Sequence, residues 1–125
     1  MFEALFAAET RVDIVKLMLP GYAEPLYLGS LTAEDYVEWQ ATAQSTDPDE
    51  KKSAAALLIA NSLVQGPEGP FADEAARMAA EKRVGTREMV SKFRQIKIGT
   101  SERIVKAILK LNGVNQPDVE KVKNG

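Results

Sequence analysis

Apolar and polar positions change rhythm several times along the chain, and each rhythm predicts an element. Near the amino terminus Phe2, Leu5 and Phe6 fall at i, i+3 and i+4, one face of a short helix. A helix this short is marginal alone. Its apolar face is therefore expected to dock on the domain's own core, with a waiting partner as the alternative. Arg11–Leu19 is rich in β-branched residues and reads as a strand, with Val15, Leu17 and Leu19 alternating onto one side. Pro20-Gly21 breaks it, and Leu26-Tyr27-Leu28 follows as a second short strand. A loop of about six residues between them suits an antiparallel hairpin. Two strands alone are barely stable in water, so the hairpin must lean on helices or on another subunit.

Helical spacing governs the rest. Thr32 is a good N-cap, followed by Ala33, Glu34 and Asp35, and the apolar face of this helix is Tyr36, Val37, Trp39 and Ala43. Asp47 as cap, Pro48 at the first helical position and Glu50 three residues after the cap open the next helix. That helix runs into Ala54–Val64, which carries no charge and has only Asn61 and Ser62 as polar residues. A helix apolar all round must be buried, so this stretch is expected to be a central helix reaching Val64. Gly66-Pro67-Glu68-Gly69-Pro70 then reverses the chain, with Phe71 packing back. A helix capped near Asp73 presents the small residues Ala75–Ala80 to a neighbour, and Val84-Gly85 breaks the chain again. Thr86 restarts a helix in which Met89, Val90, Phe93, Ile96 and Ile98 mark the buried side. Gly99 punctuates, Ser101 caps, and Ile104, Val105, Ile108, Leu109 and Leu111 line a last helix ended by Asn112-Gly113.

These elements predict a mainly α (α+β) fold, an N-terminal hairpin (strands about 11–19 and 26–28) followed by a bundle of about five helices. A chain of 125 residues has the length of one domain, here 1–113, with 114–125 expected as a flexible tail. The first ten residues lack the basic start and long apolar run of a secretory signal, so a cytoplasmic chain is expected. The eleven uncharged residues 54–64 fall short of the roughly 20 a bilayer requires, so no membrane is expected.

Composition removes whole classes of chemistry. The chain has neither cysteine nor histidine, hence no thiolate, no Ser–His or Cys–His nucleophile, and none of the commonest metal ligands. Glu34, Asp35 and Glu38 cluster, but helix N-termini collect carboxylates for dipole reasons alone. No glycine-rich phosphate loop or nucleophile elbow occurs. The expectation is a non-enzyme without cofactor or metal.

Charge does change the picture. Residues 1–76 hold 13 acidic and 4 basic side chains, whereas residues 77–110 hold 3 acidic and 10 basic. Such asymmetry suits an acidic partner, nucleic acid, or copies of the chain stacked acidic end to basic end. The plainer explanation is solvated helix faces. Candidate contact residues are therefore the apolar Phe2, Leu5 and Phe6 and the basic Arg83, Arg87, Lys92, Arg94 and Lys97. Two basic helices within 86–111 superficially resemble a helix-turn-helix, which makes a small DNA-binding regulator the alternative. The second helix, however, offers Glu102, Arg103, Lys106 and Lys110 and no Asn or Gln to read bases, so nucleic acid is not the expected partner.

In this order the parts resemble the tail assembly chaperones of long-tailed phages with non-contractile tails. The resemblance rests on the strand and loop Val15–Gly21, the return strand and capped helix Leu26–Glu34, the apolar helix ending Ser62-Leu63-Val64 with Gly69-Pro70-Phe71 after it, and the last helix ending Ile108–Gly113. Together these span about residues 12–113. It implies a non-enzymatic factor of the host cytoplasm, absent from the mature virion, that binds the tape measure protein and keeps it soluble. The further partners it implies are copies of the chain itself, a longer form made by ribosomal frameshifting, and the tail tube protein. A minor structural tail protein is a second alternative. On this reading Ser53–Phe71 is the packing axis between an acidic and a basic half, and Gly66–Pro70 is their joint.

Overall fold

In the computed structural model, which describes residues 1–114, the backbone follows the predicted rhythm with four instructive departures. The elements run α1 (Glu3–Glu9), β1 (Ile14–Leu17), β2 (Leu26–Gly29), α2 (Ala33–Ala43), α3 (Pro48–Ser62), α4 (Glu74–Glu81), α5 (Arg87–Phe93) and α6 (Ile98–Leu111). The architecture is mainly helical, an antiparallel hairpin followed by five helices. The expected tail falls almost wholly outside the described residues.

Helix α3 is the centre, packed against α2, α5 and α6. Its Leu58 and Ile59 join Leu28 from the hairpin and Ile104 and Ile108 from α6 in a core where each is at most 1% exposed. Burying a side chain of this size contributes about 1.5–3 kcal/mol. The one buried polar residue among those described, Ser62, donates its hydroxyl to the Leu58 carbonyl at 2.8 Å and so carries no unpaired group into the core. The alternating face of the hairpin, Val15, Leu17 and Leu19, lies on this core.

Caps follow the sequence closely. Thr32 and Asp35 form a reciprocal capping box on α2. Asp73 caps α4 by accepting from the Ala76 amide at 2.8 Å. Asp47 caps α3, but Glu50 does not close a box with it. Ser45 takes that place, accepting from the Asp47 amide at 3.1 Å and donating to Glu50 at 2.5 Å. At the end of α6 the Val114 amide reaches the Leu109 carbonyl and the Gly113 amide that of Lys110, with Gly113 at φ +76. This is a Schellman closure. Asn112 then joins α6 to the hairpin exit, accepting from the Leu31 amide at 2.7 Å.

The first departure is α1, which does not dock. All of residues 1–10 are exposed. The second is the first strand, which spans 14–17 rather than 11–19, because Val12 gives its amide to Glu81 of α4 at 2.8 Å instead of to a ladder. Third, α3 stops at Ser62 rather than Val64. Leu63 turns extended and the chain pairs on both sides, the Val64 amide to Tyr27 and the Val84 amide to Leu63. Tertiary pairing overrides helix propensity there. The same pairing ties residue 64 to residue 83, so Gly66–Pro70 is not a joint between two halves. It opens an excursion through α4 that returns to its starting point, while α3 binds elements from both sides of it. Fourth, the break between α5 and α6 lies at residues 94–97. Gly99 sits inside α6, Ser101 is not its cap, and Ile98 is 75% exposed rather than buried.

Candidate interaction surfaces

Two surfaces gather the candidate contact residues. On α1, Phe2 and Phe6 stack with ring centroids 6.1 Å apart, and Phe2, Leu5 and Phe6 are each more than half exposed. An apolar helical face with nothing over it marks an interaction site more often than chance exposure does. Glu3 and Glu9 are the only charged side chains in the helix.

The second surface is the edge formed by α5 and the turn after it. Arg87, Lys92, Arg94 and Lys97 are all exposed, and among the described residues none is paired with a carboxylate. Their apolar neighbours Met89, Phe93 and Ile96 face the core instead. The helix therefore divides its sequence between packing and presentation, as an amphipathic element does.

Arg83 stands apart from both. Its guanidinium donates to the carbonyls of Ser30 at 2.6 Å and Asn61 at 2.9 Å, linking the hairpin exit, the end of α3 and the returning chain. Desolvation lowers its pKa, with the Asp35 charge opposing. It holds the fold together while one side of it faces solvent. Gly29 leaves room for this arrangement, since a Cβ there would come within 2.7 Å of Val12 and Val64 and 3.3 Å of Arg83.

Helix α4 presents Ala75, Ala76, Met78 and Ala79 to solvent, and only Ala80 is buried. Arg77 braces this helix between Glu74 and Glu81, and the hydrogen bond from Arg77 lowers the pKa of Glu74.

A groove that periodicity could not reveal lies where the loop after β1 meets α5 and α6. It encloses about 510 Å³ and is lined chiefly by Leu19, Tyr22, Pro25, Leu26, Phe93 and Ile96. Its walls are far apart in sequence, and Tyr22 read alone is an ordinary loop residue.

The described residues contain no group of three or more carboxylates placed to hold a metal ion, and Asp35 is engaged in its cap. Among those residues no helix is long and apolar enough to cross a membrane.

Neither the family models nor the curated proteins contain a match to this chain. Among solved structures, that of the bacteriophage HK97 tail assembly chaperone aligns with a TM-score of 0.53 at 16% sequence identity, covering 89% of this chain and 95% of that one. The chain has a tail assembly chaperone-like fold. The alignment takes in nearly the whole of both molecules, so the likeness is not confined to a fragment. At this identity the likeness is one of fold, and surfaces such as α1 and the α5 edge are argued from this chain's own residues.

Proposed function

We propose that the protein is a phage tail assembly chaperone that binds the tape measure protein, keeps it soluble during tail assembly, and self-associates as it does so. The likeness of fold over almost the full length of both chains carries this reading. The two surfaces support it. A long helical client prone to aggregation offers apolar stripes, which the face of α1 can bind wherever no second copy covers it. The cationic α5 edge suits acidic stretches of a client or the acidic half of another copy. The activity is one of binding, without an enzymatic step or cofactor, exerted in the host cytoplasm and absent from the finished virion.

Co-expression with the tape measure protein of the same phage tests it directly. The client should move from the insoluble to the soluble fraction, and it should stay insoluble with the Phe2→Asp, Phe6→Asp variant. A client equally soluble without the chaperone overturns the reading, and finding the chain in purified particles favours a structural tail protein.

The exposed cations of α5 and the turn after it also favour a second reading, binding to duplex DNA. Such binding would weaken steeply with added salt. A chain that ignores duplex DNA at low salt removes it.

A further inference from the structure

We infer that α1 of one copy docks into the groove beside α5 of the next, so that the chain assembles head to tail through two different surfaces. The inference deepens the self-association in the reading above and rests on that part of it alone. Two apolar features that no described residue covers match in form. Phe2, Leu5 and Phe6 present the i, i+3, i+4 spacing by which an amphipathic helix enters a groove. The groove, about 510 Å³ with mostly apolar walls, lies in the size range of sites that take a few such side chains.

Charge selects the same pairing. The side chains of α1 are acidic at Glu3 and Glu9; Glu3 pairs with the amino-terminal ammonium at 2.5 Å, while Glu9 pairs with no cation among the described residues. On the other side, the wall residues Phe93 and Ile96 are followed directly in sequence by the exposed Arg94 and Lys97. Glu24 is the one carboxylate in the lining.

Reach makes the contact intermolecular. Helix α1 enters the fold at the Ile14 end of β1, whereas the groove opens beyond the Leu17 end, at Leu19 and Tyr22. The three residue steps from Ile14 to Leu17 separate these ends by about 10 Å. The connection is not free to fold back. Val12 donates to Glu81 at 2.8 Å, Asp13 donates to Ser30 at 2.9 Å, and Ser30 donates back to Asp13 at 2.8 Å. A helix held at one end of the hairpin and a groove at the other form a heterologous pair, which propagates and does not close as a two-fold dimer.

Sedimentation velocity at low salt tests this with two double variants, Phe2→Asp with Phe6→Asp on the helix and Tyr22→Asp with Ala23→Asp on the groove. All four positions are exposed, so both variants should keep the wild-type circular dichroism. Wild type should form oligomers that grow with concentration, and each variant should associate at least about tenfold more weakly. Mixed in equal amounts, the two variants should form a one-to-one complex that grows no further, because one retains its groove and the other its helix. Wild-type-like association by either variant, a mixture that stays monomeric, or a monomeric wild type overturns the inference. Solubility of the co-expressed client separates the two readings. A wild type that keeps its client soluble while failing the mixing test removes the docking alone, and a client left insoluble despite successful mixing removes the chaperone role alone.

Discussion

Gly85 shows how narrowly one residue can be constrained by a neighbour's backbone. A Cβ at this position would lie 1.7 Å from the carbonyl oxygen of Ala60 in α3, a clash that no side-chain rotation relieves. The Gly85→Ala variant must push the returning chain off the central helix. It should lose about 3 kcal/mol in urea unfolding, at the upper end of overpacking effects. Arg83 is constrained differently, by what it donates. In Arg83→Ala the Ser30 and Asn61 carbonyls lose their partner, and we expect a cost of about 1–2 kcal/mol with water replacing part of the contact. A stability unchanged within error would mean that Arg83 acts only at the surface. The Glu74–Arg77 pair gives a titration test. The hydrogen bond from Arg77 lowers the folded-state pKa of Glu74, so whatever stability the pair contributes is present above the ordinary glutamate pKa and is lost as pH falls through the lowered one. Carbon-detected NMR should find the Glu74 carboxyl titrating at lower pH in the wild type than in Arg77→Ala.

At the scale of elements, stability should be uneven. Helices α3 and α6 supply most of the buried core, whereas α4 packs on no other helix extensively and buries only Ala80. Amide exchange should therefore be slowest in α3 and α6 and faster by orders of magnitude in α4. Equal protection would show that α4 unfolds only with the whole domain. The capped helices were legible in the sequence because their signals are local. Thr32 with Asp35, Asp73 before Glu74, and Asn112-Gly113 each act within a few residues. What was not legible depended on distant partners. Leu63 and Val64 continue an apolar helical run by composition, and only Tyr27 and Val84 waiting on either side draw them into extended pairing. Ile98 fits the buried stripe of α5 by spacing, yet the turn at 94–97 resets the helix phase and leaves it in solvent. The groove was invisible for the same reason, its walls coming from a loop and two later helices.

For the whole molecule, function and folding are carried by separable parts. Residues 1–10 are all exposed, so a chain lacking them should keep its melting temperature within a few degrees while losing the apolar helical face. A large loss of stability on truncation would mean that α1 serves the fold. The likeness of fold to the phage HK97 protein extends over most of both chains, whereas the α1 and α5 surfaces are argued from this chain's own residues. The excursion between residues 64 and 83 has a practical consequence. Its two feet are paired side by side, the Gln65 and Gly66 amides donating to Lys82 and Ala80 at 2.9 Å, so they stand about one strand spacing apart. The tip that hangs between such feet, before α4 begins, can change length without displacing the core. The exposed tip at residues 67–70 is therefore a port at which a fluorescent reporter or an affinity tag could be grafted, leaving the amino-terminal helix and the basic edge free to engage their partners.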